Sequence, residues 1–401
     1  MPRLSLLAAA SAAFLAVLAP VQAQTNSSAI SFDSIETIFS FGDSYSTVGY
    51  DPRDGVTDLP LLGGTTSGGL NWVEYLALSS SLTNNSYYDF ARSGATVNNS
   101  VVVAASDAPP AFLDQEALFE QYFVGDGKEV QWNSETSLFT VFFGINDIGF
   151  ISLQSKNATE LIPQVVGSWQ RLVTKLYANG ARNFLFVLVP PTWRTPYVRS
   201  FGSDMIDTFV ANIEDYTMRI SAVAAAVPTL LPGSQVAIFD PKPLFHAILD
   251  TPAAFGFNKT VAGHSCGLYW NHHEPELDIA DCDAPLKDYI WMDDYHPTWS
   301  VHKLLAGKIS DFLSDPAAQS AALNAATDAA LIAAGFTTTP PTTSSVAPAS
   351  ETSSSAPAVE TTEAAASVEK RHRHKLYRPH HRVSRELHRM MVRKRREWSG
   401  L

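Results

Sequence analysis

Ser44 closes the run Phe39-Ser40-Phe41-Gly42-Asp43-Ser44-Tyr45, and His296 sits far along the chain in Asp293-Asp294-Tyr295-His296-Pro297. A serine hydroxyl is unreactive until a base takes its proton, and a histidine steadied by a carboxylate is the common base. Asp293 lies three positions before His296. In a turn, that spacing lets the carboxylate reach one ring nitrogen while the other faces the serine. Asp294 is the rival for the same role, at a less favourable spacing. Pro297 restricts His296 to extended backbone, which helps fix its ring.

Acyl transfer through a serine also needs N–H groups aimed at the oxygen that turns negative in the tetrahedral intermediate. Two further segments can supply them. Ala91-Arg92-Ser93-Gly94-Ala95-Thr96 offers the Gly94 backbone N–H, with no side chain to block approach. Phe143-Gly144-Ile145-Asn146-Asp147 offers the Asn146 amide, and the Ser44 backbone N–H is a third donor. Each residue also has a plainer reading. Gly-Asp-Ser is good turn chemistry, Gly94 suits any turn, and Asn146 suits a cap before a loop. Asp43 can bond within its own turn, while Asp147 and Asp240 close strands and read as structural.

A second serine competes. Gly263-His264-Ser265-Cys266-Gly267 matches a G-x-S-x-G elbow. That elbow needs a buried strand before it and a helix after it. The preceding residues hold a glycosylation sequon, and residues 268–275 lack a helical pattern, so Ser44 is the better nucleophile. Of the histidines outside the C-terminal basic segment (His246, His264, His272, His273, His296 and His302), only His296 has the Asp293 spacing in front of a proline.

The elements that must position these residues alternate in type. Residues 35–41 and 137–143 read as buried parallel strands ending in Gly-containing turns. Residues 159–176 carry apolar side chains at helical spacing, with Asn179-Gly180 as a stop. Residues 182–189 read as a strand and 203–227 as a long helix with Ser203 at its N-cap. Residues 235–239 read as a strand and 298–313 as a helix. Such alternation indicates a parallel sheet covered on both faces. Ligands of these sheets bind beyond the carboxyl ends of the strands, where Ser44 and Asn146 both fall. A tight strand-to-helix turn is expected at Ser44, lifting its hydroxyl clear of the sheet.

Four blocks carrying Ser, Gly, Asn and His in this order resemble the GDSL, or SGNH, hydrolases, over roughly residues 30–315. Tyr45 stands where leucine is usual in that family, a change that bears on packing more than on chemistry. The segments Phe41 to Gly49, Phe90 to Val97, Gly180-Ala181-Arg182-Asn183-Phe184-Leu185 and Asp293 to Pro297 look like the fungal secreted acetyl esterases of carbohydrate esterase family sixteen. The resemblance implies a three-layer α/β/α sandwich of flavodoxin-like type with a mostly parallel sheet. It also implies a serine esterase acting through Ser44, Asp293 and His296, with Ser44, Gly94 and Asn146 binding the oxyanion and no metal or cofactor. Its implied substrate is an acetyl ester on a plant-wall oligosaccharide. A lipase or phospholipase on longer acyl chains is the alternative.

The rest of the chain speaks to where it works. Residues 1–23 read as a secretory signal, with Arg3, an apolar stretch over 4–18 and a small-residue cleavage site at Val21-Gln22-Ala23. Asn26, Asn84, Asn98, Asn157 and Asn258 each open an N-x-Ser/Thr sequon. Cys266 and Cys282 are the only cysteines. In an oxidising compartment they read as one disulfide closing a short loop, contributing about 3 kcal/mol. A zinc site built from them with His264, His272 and His273 is the competing reading, which no CxxC or HExxH spacing supports. An extracellular location follows, with retention at the cell wall left open.

The formal charge of −12 hides an asymmetry, because residues 370–396 hold twelve of the 28 Lys/Arg and only Glu386 of the acids. Elsewhere 16 basic residues face 39 acidic ones, a net of −23. So acidic a body argues against nucleic acid and polyanionic substrates. No segment beyond the leader is apolar for long enough to span a membrane.

The expected organisation is a signal over 1–23, a hydrolase domain over 24–315, and an alanine-rich helical extension over 316–336. A Ser/Thr/Pro-rich linker follows over 337–369 and a basic tail over 370–401. The tail could bind acidic wall polymer, and it lacks the apolar end of a GPI signal. Linker and tail also suit a non-catalytic cell-surface or wall-binding protein, which would bind wall polymer and hydrolyse nothing. Trp291, close to His296, is the expected aromatic platform for a sugar ring.

Overall fold

The computed structural model describes residues 29–79, 86–103, 109–269 and 277–333. The leader, the Asn26 and Asn84 sequons, Trp270, His272, His273, the Ser/Thr/Pro-rich segment and the basic tail lie outside the described residues.

Five strands form one sheet: β1 (Thr37–Gly42), β2 (Tyr87–Asp89), β3 (Ser137–Phe142), β4 (Asn183–Val187) and β5 (Gln235–Phe239). They lie in the order β2-β1-β3-β4-β5, and every pairing is parallel. All residues of β1, β3 and β4 are buried, so these strands are covered on both faces and do not alternate between buried and exposed residues. Residues 235–239 coincide with the expected strand, while β1 begins two residues later than expected. Register sets Phe39 beside Phe139 and Phe139 beside Phe184. Phe39 also contacts Tyr88, Phe119, Phe123 and Trp132, mostly edge to face.

Helices cover both faces, giving three layers. The helices α1 (Trp72–Ser79) and α7 (Trp299–Leu313) pack together on one side. On the other side lie α2 (Phe112–Phe123), α3 (Ile145–Leu153), α4 (Ala158–Ala178) and α5 (Ser203–Leu230). Ile162, Val165, Trp169, Leu172 and Leu176 form the buried stripe of α4. Gly202 occupies the N-cap of α5, so Ser203 is its first helical residue and not the expected cap. After β5 comes α6 (Lys242–Asp250). The alanine-rich α8 (Pro316–Ala333) closes the β5 edge against α5 and α7. No helix among the described residues is long and apolar enough to cross a membrane.

A smaller apolar cluster stands apart from the main core, formed by Val261, Tyr269, Ala284, Leu286, Tyr289 and Met292. The Cys266–Cys282 disulfide lies within this lobe, as its cysteines suggested. With both thiols spent, the alternative zinc site loses its two best ligands.

Candidate active site

Ser44 follows directly on β1. The last residue of that strand, Gly42, pairs with Phe142 of β3 and is also held by a side chain. Its N–H donates to Gln115 Oε1 at 3.0 Å, and its carbonyl accepts from Gln115 Nε2 at 2.8 Å. The chain then makes one turn, in which the N–H groups of Ser46 and Thr47 both donate to the Asp43 carbonyl. No helix follows at once, so the expected strand-to-helix turn is instead a single turn running into a loop. Asp43 fixes the turn from within, accepting the Tyr45 N–H at Oδ1. From outside, Thr66 Oγ1 donates to the Ser44 carbonyl at 2.6 Å.

His296 sits in a loop closed by short antiparallel pairing. Thr298 N donates to Ile290 O, and Met292 N donates to His296 O. A bridge between Trp291 and Pro297 joins the same two arms. At the tip, Asp293 Oδ1 accepts the backbone N–H groups of Tyr295 (2.7 Å) and His296 (2.6 Å). Its Oδ2 lies 2.8 Å from His296 Nδ1, and His296 Nε2 lies 2.8 Å from Ser44 Oγ. Asp294 is turned away, accepting from Ser265 Oγ at 2.8 Å and, through its carbonyl, from Tyr197 N. Ser265 therefore faces a carboxylate and not a histidine, and among the described residues no strand precedes it and only the three-residue 3-10 turn Gly267–Tyr269 follows.

Burial weighs most on the His296 ring and opposes its protonation. The charge and hydrogen bond of Asp293, with the charge of Asp43, outweigh that effect, so the pKa is raised above 6.5. Asp43 is wholly buried, and loss of hydration pushes its pKa up to about 7 against the pull of the Tyr45 N–H and His296.

Gly94 and Asn146 belong to neighbouring loops that are bolted together. At the end of β3, Gly144 has φ 117°, and a Cβ there would lie 2.3 Å from the Tyr216 ring, so only glycine fits. The first turn of α3 follows. Its Asn146 donates through Nδ2 to Ala95 O at 3.0 Å, and the Asp147 carboxylate accepts Val97 N at 3.1 and 3.2 Å. Two consecutive side chains thus bracket the loop that carries Gly94. One amide hydrogen of Asn146 is engaged in this way, and its second is the one that can face a substrate oxygen.

Trp291 does not offer the expected platform. It is 2% exposed and part of the main core, so its ring has no face to present to a sugar. Of the sequons inside the described residues, Asn157 is exposed, whereas Asn98 and Asn258 are half-buried. Tyr45 does more than pack: its hydroxyl donates to the Tyr295 carbonyl at 2.7 Å. The Gln115, Thr66 and Tyr45 contacts had no sequence signal, because each partner is remote in the chain.

A family model described as GDSL-like Lipase/Acylhydrolase matches residues 38–309, a span that contains all of these residues. An acetylesterase of Thermothelomyces thermophilus is 30% identical over 286 residues, which cover 69% of this chain and 88% of that protein. An acetylesterase of Hypocrea jecorina is 23% identical over 327 residues, covering 70% and 90%. A thermolabile hemolysin of Vibrio parahaemolyticus is 23% identical over 297 residues, covering 71% and 65%.

Proposed function

This chain belongs to the GDSL-like lipase/acylhydrolase family and is a carboxylic ester hydrolase, and from that premise we propose that it is a secreted serine esterase that removes acetyl groups from plant cell-wall oligosaccharides. The observation that carries the mechanism is the unbroken line from Asp293 Oδ2 through the His296 ring to Ser44 Oγ, with 2.8 Å at each junction.

In that mechanism Ser44 Oγ attacks the ester carbonyl carbon as its proton passes to His296 Nε2. The carbonyl oxygen becomes negative and is met by the N–H groups of Ser44, Gly94 and Asn146. Collapse expels the sugar hydroxyl, which takes the proton from His296 and leaves an acetyl group on Ser44. Water then gives a proton to His296 and attacks the acyl carbon. Acetate departs, and the proton returns to Ser44. Asp293 keeps the ring oriented and stabilises its charged form throughout.

The acetyl group is favoured by the two acetylesterase relatives, one of them at 30% identity. The five sequons and the leader pattern support secretion. A second reading, longer acyl chains, is favoured by Leu61 and Leu62. They are 91% and 53% exposed in the segment that leads to Thr66 and its bond with Ser44.

The test is hydrolysis of 4-nitrophenyl acetate and octanoate by the wild type and Ser44→Ala. The expected result is preference for acetate, lost in the variant. Preference for octanoate moves the assignment to a lipase, and full activity in Ser44→Ala removes Ser44 as nucleophile.

A further inference from the structure

The surface also holds a cleft of about 500 Å³ that the acyl-transfer chemistry does not use. Phe255 and Phe257, from the segment after α6, form one wall, and Trp299, Lys303, Lys308 and Asp311 of α7 form the other. None of Ser44, Gly94, Asn146 or His296 lines the cleft, but one short loop ties its wall to the proposed site. Trp299 N donates to the Ser67 carbonyl at 2.9 Å, and the preceding residue, Thr66, holds the Ser44 carbonyl. Trp299 itself comes three residues after His296.

The lining narrows the class of ligand. Trp299 and Phe255 are half-buried, which leaves part of each ring available. The Trp299 Nε1–H is itself buried and has no hydrogen-bond partner among the described residues, so the indole meets a ligand through the exposed part of its ring and not through its N–H. Lys303 is exposed, and Lys308 pairs only loosely with Asp311, at 3.4 Å. Donors and an acceptor of opposite charge therefore stand beside aromatic surfaces. An anion would meet Asp311 and an acidic body, and a fatty acyl chain would cover the aromatic and Leu304 surfaces but make no use of Lys303, Lys308 and Asp311 beside them. A sugar has apolar ring faces that stack on aromatics and hydroxyls that both donate and accept.

We propose that this cleft binds a neutral oligosaccharide, the carbohydrate part of the substrate, with a ring on Trp299 and hydroxyls bonded to Lys303 and Asp311. The choice of ligand rests on the acetylated-oligosaccharide function above, but the binding is measured without any ester.

Ser44→Ala protein is titrated calorimetrically with unacetylated xylopentaose, alone and combined with Lys303→Ala or Trp299→Phe. The expected result is binding whose Kd each second substitution raises roughly five-fold or more, the scale of one lost polar or aromatic contact. Absence of binding, or a Kd untouched by both substitutions, overturns the proposal. Tighter binding of an oligogalacturonide than of xylopentaose overturns the neutral class. Failure of the esterase assignment would be seen separately, in wild-type hydrolysis of 4-nitrophenyl acetate.

Discussion

The hydroxyl of Tyr45 donates to the backbone carbonyl of Tyr295 at 2.7 Å. Each residue is the immediate neighbour of a proposed catalytic one, Tyr45 of Ser44 and Tyr295 of His296. The bond therefore ties the turn after β1 to the tip of the histidine loop. The Tyr45 ring also lies 5.8 Å from the His296 ring and 6.2 Å from Phe142 on β3. Tyr45→Phe keeps this packing and removes only the tether. It should lower kcat by roughly two- to ten-fold, the scale of one net hydrogen bond, with little change in KM. A raised KM with kcat intact would mean that Tyr45 serves substrate binding rather than the alignment of His296.

Asp293 contributes a carboxylate whose two oxygens act differently, Oδ1 holding the backbone of the tip and Oδ2 holding His296 Nδ1. Asp293→Asn preserves shape but turns the ring toward the wrong tautomer, so kcat should fall by about 10³- to 10⁴-fold. Because Asp293 favours the imidazolium, it raises the pKa of His296. As the proposed base, His296 must be neutral to act, so wild-type kcat/KM should rise with pH through a midpoint above 6.5. In Asp293→Asn the residual activity should have its acid limb at lower pH. Asp294→Asn, which disturbs only the Ser265 contact, should leave that limb in place; movement of the limb in Asp294→Asn alone would transfer the orienting role to Asp294.

Asn146 has two jobs in the proposed mechanism, bonding Ala95 O and meeting the oxyanion. Loss of one oxyanion donor typically lowers kcat by about 10²- to 10³-fold. Asn146→Ala should therefore reduce turnover far more than it raises KM. The Asp147 contacts to Val97 remain in the variant and hold the Gly94 loop in place. The reverse kinetic pattern, a high KM with normal turnover, would assign Asn146 to ground-state binding.

The ends of this site were legible in the sequence and its supports were not. Ser44 and His296 stand in short motifs whose chemistry depends on adjacent residue types, and spacing favours Asp293 over its rival Asp294 as the partner of His296. Strands β1, β3, β4 and β5 announce themselves as short, mostly apolar, β-rich segments. By contrast β2 is three residues long, too short for any periodicity, and is defined by its pairing with β1. α2 has an ordinary amphipathic pattern, but its N-cap is Ala111, which has no capping oxygen to mark the start; Asp114 Oδ2 accepts the Ala111 N–H instead. Gln115 lies on α2, 73 residues from the Gly42 whose backbone it satisfies, and no local rule foretells such a partner. Trp291 illustrates the opposite error. Nearness in sequence to His296 suggested an exposed ring, but a strand-like bridge alternates its side chains, and this one points into the core.

The buried carboxyls give the fold an unusual dependence on pH. Asp43, Asp89 and Asp147 are wholly buried, and loss of hydration raises each from 3.8 to about 7. Between those values the folded chain binds more protons than the unfolded one. Their contribution to stability is thus complete below about pH 4 and is lost as pH rises through 7. His296, also raised, acts in the same direction. His302 opposes them: burial lowers it from 6.5 to about 3, so its contribution holds above 6.5 and fades as pH falls. Three carboxyls against one imidazole should make the protein more stable at pH 5 than at pH 8, by on the order of 5 °C in Tm. Repulsion among the excess surface carboxylates has the same sign, but salt screens it and not the buried groups. The difference should therefore survive in high salt and flatten in Asp89→Asn. A Tm that is higher at pH 8, or a difference that vanishes with salt, would mean that these carboxyls are ionised in the folded protein.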